Sequence, residues 1–416
     1  LELTERKDME DEGGETEEVT PRSPSSRWLT PAVKGIGLAS FLDDTGHEVT
    51  TSLLPRFLSV TLGAPAIALG LIEGIADGVS GFSRIVGGAL ADDPDHRRSV
   101  ALGGYASTAL LSSAVGVAGN VWTAGALRTA AWSARGLRSP ARNALLADAV
   151  PSSAYGRAFG FERALDNLGA IAGPLLALFL LHLFGVRTAI LLSIVPGLLA
   201  AVAVFYAIRR IPRAPTRDQG SVRLRLRLDV GGTLRPVMRG IAAFEIGNVA
   251  ATLLILRATQ LLAPARGLER ATELALLLYL GYNLAGTLAS VLAGRVIDRS
   301  DAGRTMIAGV TAFAVAYAMF AVPSANVLLL GGAFIVAGIG VGSVETAEHA
   351  VIATRAKEVL RGSAFGTLAA IQSFGNLAAS VVAGVIWSAM SPRAAFAYLT
   401  GWMVISLILL LRAPRS

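Results

Sequence analysis

No cysteine occurs among the 416 residues, which excludes a disulfide scaffold and any thiol chemistry. Lysine is almost as scarce. Only Lys7, Lys34 and Lys357 occur and none follows a glycine, so the Gly-Lys step of a phosphate-binding P-loop is missing and the chain alone cannot run on ATP. His47-Glu48 opens like a zinc-protease motif, but Thr51 stands where the second histidine would have to be. Gly338, Gly340 and Gly342 lie in an apolar helical run with no strand before them, which removes the context of a dinucleotide fingerprint. No nucleophile and base stand at catalytic spacing, so the pattern is not that of an enzyme and asks for no cofactor and no resident metal. Charge is scarce as well: 16% of residues, against roughly a quarter in a globular protein. A soluble chain of this length could not cover its surface with so little.

What is present is apolar. Hydrophobic residues make up 53% of the chain and mean hydropathy is +0.56. Crossing a bilayer takes roughly 20 helical residues, and stretches of that length recur from Pro31 to the end. They predict twelve spans, at 32–60, 63–90, 99–118, 120–147, 156–184 and 186–208, then at 237–262, 270–296, 304–323, 325–353, 362–389 and 392–412. This is an all-α polytopic membrane protein with an N-terminal half over 32–208 and a C-terminal half over 237–412. Residues 1–31 are acidic from Glu2 to Glu18 and then rich in proline and serine, which predicts a disordered tail rather than a signal peptide. Residues 209–236 read as a basic linker and 413–416 as a short tail.

The net charge of +7 and pI near 10.1 would suggest nucleic acid in a soluble protein. Here the basic residues crowd the connections after even-numbered spans. Arg97 and Arg98 follow the second, Arg138 and Arg142 the fourth, and nine arginines against two aspartates lie over 209–239. Arg299 and Arg304 come next, then Arg355, Lys357 and Arg361. Connections after odd spans carry few: Arg187, Arg266, Arg270 and Arg393. The positive-inside rule places both termini in the cytoplasm, with the spans in the inner (plasma) membrane. Topology then accounts for the charge, and nucleic acid has no part.

Two local strings recur at one spacing. Gly88-Ala-Leu-Ala-Asp92 is matched by Gly294-Arg-Val-Ile-Asp298, and Gly156-Arg-Ala-Phe-Gly160 by Gly362-Ser-Ala-Phe-Gly366, both 206 residues on. Two matches at a single shift imply a duplicated six-span unit, which in transporters places the substrate between the halves near the midplane. The loop strings resemble the hallmark of the major facilitator superfamily, a glycine, an aspartate four residues on and then arginines. The second copy is Gly294, Asp298, Arg299, Gly303 and Arg304; the first keeps Gly88, Asp92, Arg97 and Arg98 but has Asp93 and Asp95 between them. Ser40-Phe-Leu-Asp-Asp44 with Glu48, Arg142-Asn-Ala-Leu-Leu-Ala-Asp148 and Gly169-x-x-x-Gly173-Pro174 are similar to one bacterial branch of that superfamily. Ala131-Trp132 and Ala251 depart from it, where Asp-Arg and Asp would be expected. The resemblance spans about 32–412 and implies two six-helix halves rocking about a central cavity. The glycine motif ending in Pro174 also resembles the fifth helix of drug–proton antiporters, and Gly-x-x-x-Gly is a common packing pattern besides.

The loop motif has a physical reading of its own. Gly88 and Gly294 let two helices approach closely. Asp92 and Asp298 can accept from the free N–H groups of a neighbouring helix N-terminus, where the dipole favours an anion. The nearby arginines can bridge to the opposite half. Such contacts would latch the cytoplasmic side shut.

Ionisable groups at mid-membrane cost roughly 2.5–3.5 kcal/mol each even on the gentler scales. Asp44, His47 and Glu48 share one face of the first span, about 18 Å into it at 1.5 Å per residue. Glu345, Glu348 and His349 repeat that pattern on the tenth, and the superfamily architecture would let both faces meet in the cavity. Three readings of these residues stand together. They are a proton- or cation-coupling site, since burial favours the neutral carboxyl; a metal site, since carboxylate with imidazole suits divalent ions; or structural ion pairs with Arg128 and Arg135. Glu73 with Asp77 and Arg163 with Asp166 read as packing and gate pairs, and Glu245 and Asn248 could face the cavity. The expectation is a monomeric, proton-coupled secondary transporter that exports a small solute by alternating access, contacting solute, proton and lipid. Asp44 and Glu48 would couple, with Arg128 and Glu345 as partners. A metal-ion or metal-chelate permease using His47 and His349, and a transporter-like sensor or assembly protein, remain open.

Overall fold

The computed structural model describes residues 28–212 and 234–413. Residues 1–27 of the predicted tail, 213–233 of the basic linker and the last three residues lie outside them. Thirteen helices and no strand occupy the described residues. The first six are α1 (Pro31–Arg56, extended by a π-helical turn Phe57–Thr61), α2 (Ala66–Leu90), α3 (Pro94–Ala114), α4 (Val121–Asp148), α5 (Tyr155–Leu192) and α6 (Ile194–Arg210). The rest are α7 (Arg235–Gly247), α8 (Ala251–Arg266), α9 (Leu268–Arg299), α10 (Ala302–Ala321), α11 (Val327–Arg355), α12 (Arg361–Ala389) and α13 (Pro392–Arg412).

The helix starts are written locally. Thr30, Asp93, Asn120, Asn326 and Ser391 each accept a backbone N–H from the first turn of the helix they precede, and Pro31, Pro94 and Pro392 occupy first positions that need no donor. Gly185 breaks α5 at φ 76°, which is where the sixth predicted span begins. The predicted span 237–262 is not continuous: it parts at Asn248–Ala250 into α7 and α8. The freed backbone is satisfied from other helices. Tyr317 Oη accepts from Val249 N at 3.2 Å, Ser380 Oγ accepts from Ala250 N at 3.1 Å, and Asn376 Nδ2 donates to Asn248 O at 2.8 Å. Broken helices at membrane depth survive only with such partners.

Among the described residues, eight helical segments are long and apolar enough to cross a membrane, one of them Ser152–Arg210 at 59 residues, which holds two predicted spans. α1 and α4 are as long, but α1 carries Asp43, Asp44 and Glu48 and α4 carries four arginines, so neither qualifies by composition. The halves pack alike. α1 lies on α5 and α6, α2 on α4, and α3 on α4 and α6. In the second half the α7–α8 span lies on α12 and α13, α9 on α11, and α10 on α11 and α13, the same pattern six spans on. Between halves, α2 packs on α12 and α5 on α9. One apolar cluster, with Phe159 and Phe365 at 5.7 Å, runs across that junction. Outward-facing Leu175, Leu178, Phe179, Leu277 and Leu288 are exposed, as a lipid-facing surface requires.

Candidate functional site

A cavity of about 490 Å³ lies between the halves. α2, α4 and α5 supply Asp77, Arg84, Arg135, Arg138, Arg142, Arg163 and Asp166 to its wall; α7, α11 and α12 supply Glu245, Asn248, Glu345, His349, Gln372 and Asn376. The two walls handle charge differently.

On the N-terminal side, α4 places Arg128, Arg135, Arg138 and Arg142 on one stripe, and the acids of its neighbours meet them. Arg135 pairs with Asp43 at 2.9 Å and Asp44 at 2.5 Å, and Arg138 also pairs with Asp43. Arg142 pairs with Glu162 at 2.9 Å, and Ser40 Oγ donates to the same carboxylate at 2.7 Å. Arg163 holds Glu162 and Asp166 at 3.0 Å and reaches Glu345 of the other half at 3.5 Å. Guanidiniums as deeply buried as Arg128 and Arg138, each 1% exposed, require such counter-charges.

On the C-terminal side Glu345 meets Arg163, whereas Glu245 in the wall and Glu348, on α11 outside the cavity lining, meet amides. Glu348, fully buried, accepts from Gln372 Nε2 at 2.8 Å through one oxygen, and its other oxygen has no partner. Glu245, 3% exposed, accepts from Asn248 Nδ2 at 3.0 Å. Neither is in an ion pair with arginine or lysine among the described residues. His349 sits between Phe159 and Phe365, its Nδ1 at 2.7 Å from Glu345 O.

At the end carrying the duplicated loops the halves are sealed twice by the same device. Asp92 caps α12, accepting from Ser363 N at 2.8 Å and from Ser363 Oγ. Asp298 caps α5, accepting from Gly156 N at 2.7 Å, Arg157 N at 3.2 Å and Arg157 Nε at 2.5 Å. Beside each cap, glycines meet across the junction. A Cβ on Gly88 would lie 2.7 Å from Gly362 O, and Gly294 faces Gly156 in the same way. Asp148 takes Arg97 from its own half and Arg361 from the other at 3.0 Å. Burial pushes the Asp92 carboxyl above the ordinary aspartate range, against the opposing pull of the Ser363 hydrogen bonds and of Arg97.

Several expectations need correction in detail. Glu345 and His349 line the cavity, whereas Asp44, His47 and Glu48 are not among its lining residues, and Asp44 reaches it through Arg135. Arg135 does pair with Asp44, but Arg128 turns to Glu73 at 3.1 Å and to Thr51, with its guanidinium 3.5 Å above the Trp132 ring. That ring also lies tilted against His47 at 4.1 Å, and Trp132 Nε1 donates to Asp77 at 2.7 Å. His47 and His349 thus sit in separate aromatic surroundings, and no group of three or more His, Asp or Glu among the described residues could hold a metal. Arg138 and Arg142, counted with the connection after the fourth span although they lie within it, are buried in α4 against Asp43 and Glu162. Arg299 and Arg304 are exposed at the end of α9 and the start of α10, near Gly303, and Arg98 donates to Ile211 O and Pro212 O. The bridges between halves come instead from Arg157 and Arg361, which stand in first helical turns at the junction. Gly169 and Gly173, before Pro174, let α5 lie on α1: their Cβ positions meet Phe41 O at 2.6 Å and Thr45 O at 2.9 Å. Glu162 and Arg84 escaped notice altogether; the spacing of arginines along α4 was the available signal for the rest of the network.

The model for the Major Facilitator Superfamily matches residues 36–263 and 262–416. An uncharacterized MFS-type transporter of Methanocaldococcus jannaschii is 24% identical over 392 residues, 93% of this chain and 96% of that protein. Among solved structures, the human organic anion transporter MFSD10 superposes with a TM-score of 0.71 at 16% identity, covering 91% of this chain and 99% of its own. A bacterial homologue of the iron transporter ferroportin, in an outward-facing state, gives 0.72 at 14% identity and covers 92% and 98%. At these identities the structures share the fold with this chain.

Proposed function

The chain belongs to the Major Facilitator Superfamily, whose members carry small solutes across a membrane, and on that premise we propose a proton-coupled exporter that works by alternating access. The duplicated loops face the cytoplasm in this reading, which agrees with the arginines gathered at that end. One observation carries it. The cavity is sealed at the loop end by two pseudo-symmetric caps, and the same α2 face that seals is open further up. Gly74, Gly81 and Gly88 repeat every seven residues; Gly88 meets Gly366, Gly81 meets the Phe374 ring, and a Cβ on Gly74 would have no neighbour within 4 Å. A rocking motion that breaks the caps would carry the cavity from one side to the other.

Coupling falls to Glu245 and Glu348. Asp43, Asp44, Glu162 and Asp166 each already have an arginine as counter-charge. Glu245 and Glu348 have amide partners alone, so burying either as an ion is costly and a proton is the natural counter-charge. This pair is placed ahead of Asp44, which Arg135 holds, while Glu48, whose ion partner is His47 at 3.7 Å, stays a coupling candidate beside it. Export is supported by the Gly169-x-x-x-Gly173-Pro174 motif.

Proteoliposomes with an imposed pH gradient test the reading. Glu348→Gln and Glu245→Gln should lose gradient-driven accumulation while keeping solute counterflow, because exchange needs no net proton movement. Full gradient-driven transport in both variants overturns the coupling, and absence of counterflow in the wild type overturns transport.

A further inference from the structure

Four of the five arginines that line the cavity are bound to carboxylates; Arg84 is not. Its Nη1 donates to Ala369 O across the junction at 3.3 Å, and its Nε is buried without a partner. It stands on α2 between Gly81, packed on Phe374, and Gly88, packed on Gly366, and so at the floor of the cavity where the halves begin to close. Arg135, Arg142 and Arg163 share its cavity and repel it, while Asp77 and Glu245 of the same lining attract it. Asp77 lies two turns away on the same helix and already accepts from Trp132.

Asp77 and Glu245, the cavity acids not bonded to an arginine, are carboxyl groups, a type that a proton can neutralise. A guanidinium cannot, because it stays charged at any pH a protein meets. Arg84 is therefore the permanent charge the cavity leaves open. Above it, α12 presents Gln372, Ser373, Asn376 and Ser380 on the face that carries Ala369, a ladder of neutral donors and acceptors. We propose that Arg84 recognises the solute and that the solute is a small organic anion bearing a carboxylate, sulfonate or phosphate group. The guanidinium fork matches such groups with two parallel hydrogen bonds. Engaging one draws Arg84 from its long bond to Ala369 and so loosens the α2–α12 junction when the cavity is loaded. This inference rests on the transport reading above and names its substrate class.

The full chain, purified in a nonionic detergent, is melted in the presence of one ring carrying different groups: benzoate, benzenesulfonate and phenyl phosphate against benzamide and benzylammonium. The anions should stabilise the wild type and the amide and ammonium should not. Apparent affinity should fall roughly 30-fold or more in Arg84→Gln and be partly regained in Arg84→Lys, which keeps the charge without the fork. If Arg84→Gln does not fold, the drop in Arg84→Lys carries the test. A wild type stabilised by no anion, or equally by amide or ammonium, overturns the proposal, as do variants that bind like the wild type. Counterflow of a neutral solute indifferent to Arg84→Lys refutes the anion site and leaves transport standing; anion binding with no counterflow does the reverse.

Discussion

Asp298→Ala removes one of the two caps that hold the junction closed. The carboxylate accepts three hydrogen bonds at the start of α5 and is 6% exposed, so water replaces little of what is lost while the junction stays shut. A hydrogen bond to a charged group contributes about 1.5–3 kcal/mol net, and an anion at a helix N-terminus about 0.3–1 kcal/mol. These overlap at Asp298, so about 3 kcal/mol of bias towards the sealed form is a fair total. That corresponds to about a 100-fold change in the sealed-to-open ratio, enough to bring a 99:1 population to near parity. Asp92→Ala acts at the α2–α12 junction rather than α5–α9, so the two losses should add in the double variant. The assay is simple because the chain has no cysteine. Ser290→Cys introduces a single thiol at a fully buried site between Gly160 and Gly342, on the junction itself. When opening and reclosing are fast, its reaction with a maleimide follows the open population. The rate should rise about 50-fold in Asp298→Ala, less in Asp298→Asn, and at most about twofold further in the double variant, where the open form saturates. A double variant that melts as the parent does and labels at the parent's rate refutes the latch.

Other substitutions test the wall and the packing. Arg135→Ala leaves Asp43 with Arg138 and Asp44 with no guanidinium bonded to it, and removing one partner of a buried pair costs about 3–5 kcal/mol. The melting temperature should fall, and Asp44→Asn added to it should restore part of the loss. Gly169→Ala drives a Cβ to 2.6 Å from Phe41 O, so overpacking of about 1–3 kcal/mol should separate α5 from α1 and lower the melting temperature without touching the cavity wall. The α2–α12 cap should also respond to pH. Burial raises Asp92 above its ordinary 3.8 in the sealed form, which therefore binds the proton more tightly than an opened form whose Asp92 faces water. The proton's contribution to sealing is full below 3.8 and is lost as pH rises through the raised value. Spin labels at exposed Asp95→Cys and Lys357→Cys should show a growing separated population across that rise, and Asp92→Asn should flatten it.

Sequence alone determined the parts of this protein that depend on neighbours along the chain. Composition placed it in a bilayer, apolar length placed the spans, and capping residues such as Asn120 and Ser391 placed helix starts. The duplication was legible because Gly88, Asp92 and their copies recur at one spacing, and with it the latch, whose chemistry needs only a carboxylate beside a helix N-terminus. The break at Asn248–Ala250 was marked only by Gly247-Asn248 inside a long apolar run, because its stability comes from Tyr317, Asn376 and Ser380 on other helices. The fate of each buried charge was not legible. Asp44 and Glu348 read alike along the chain, each a carboxylate on an apolar helix. Tertiary structure decided that Asp44 lies within reach of Arg135 while Glu348 meets only Gln372, and that Arg84 lines the cavity unpaired. The reason is geometric. Whether a charge is compensated depends on which side chains neighbouring helices turn towards it, and that rotation is set by packing between helices far apart in sequence.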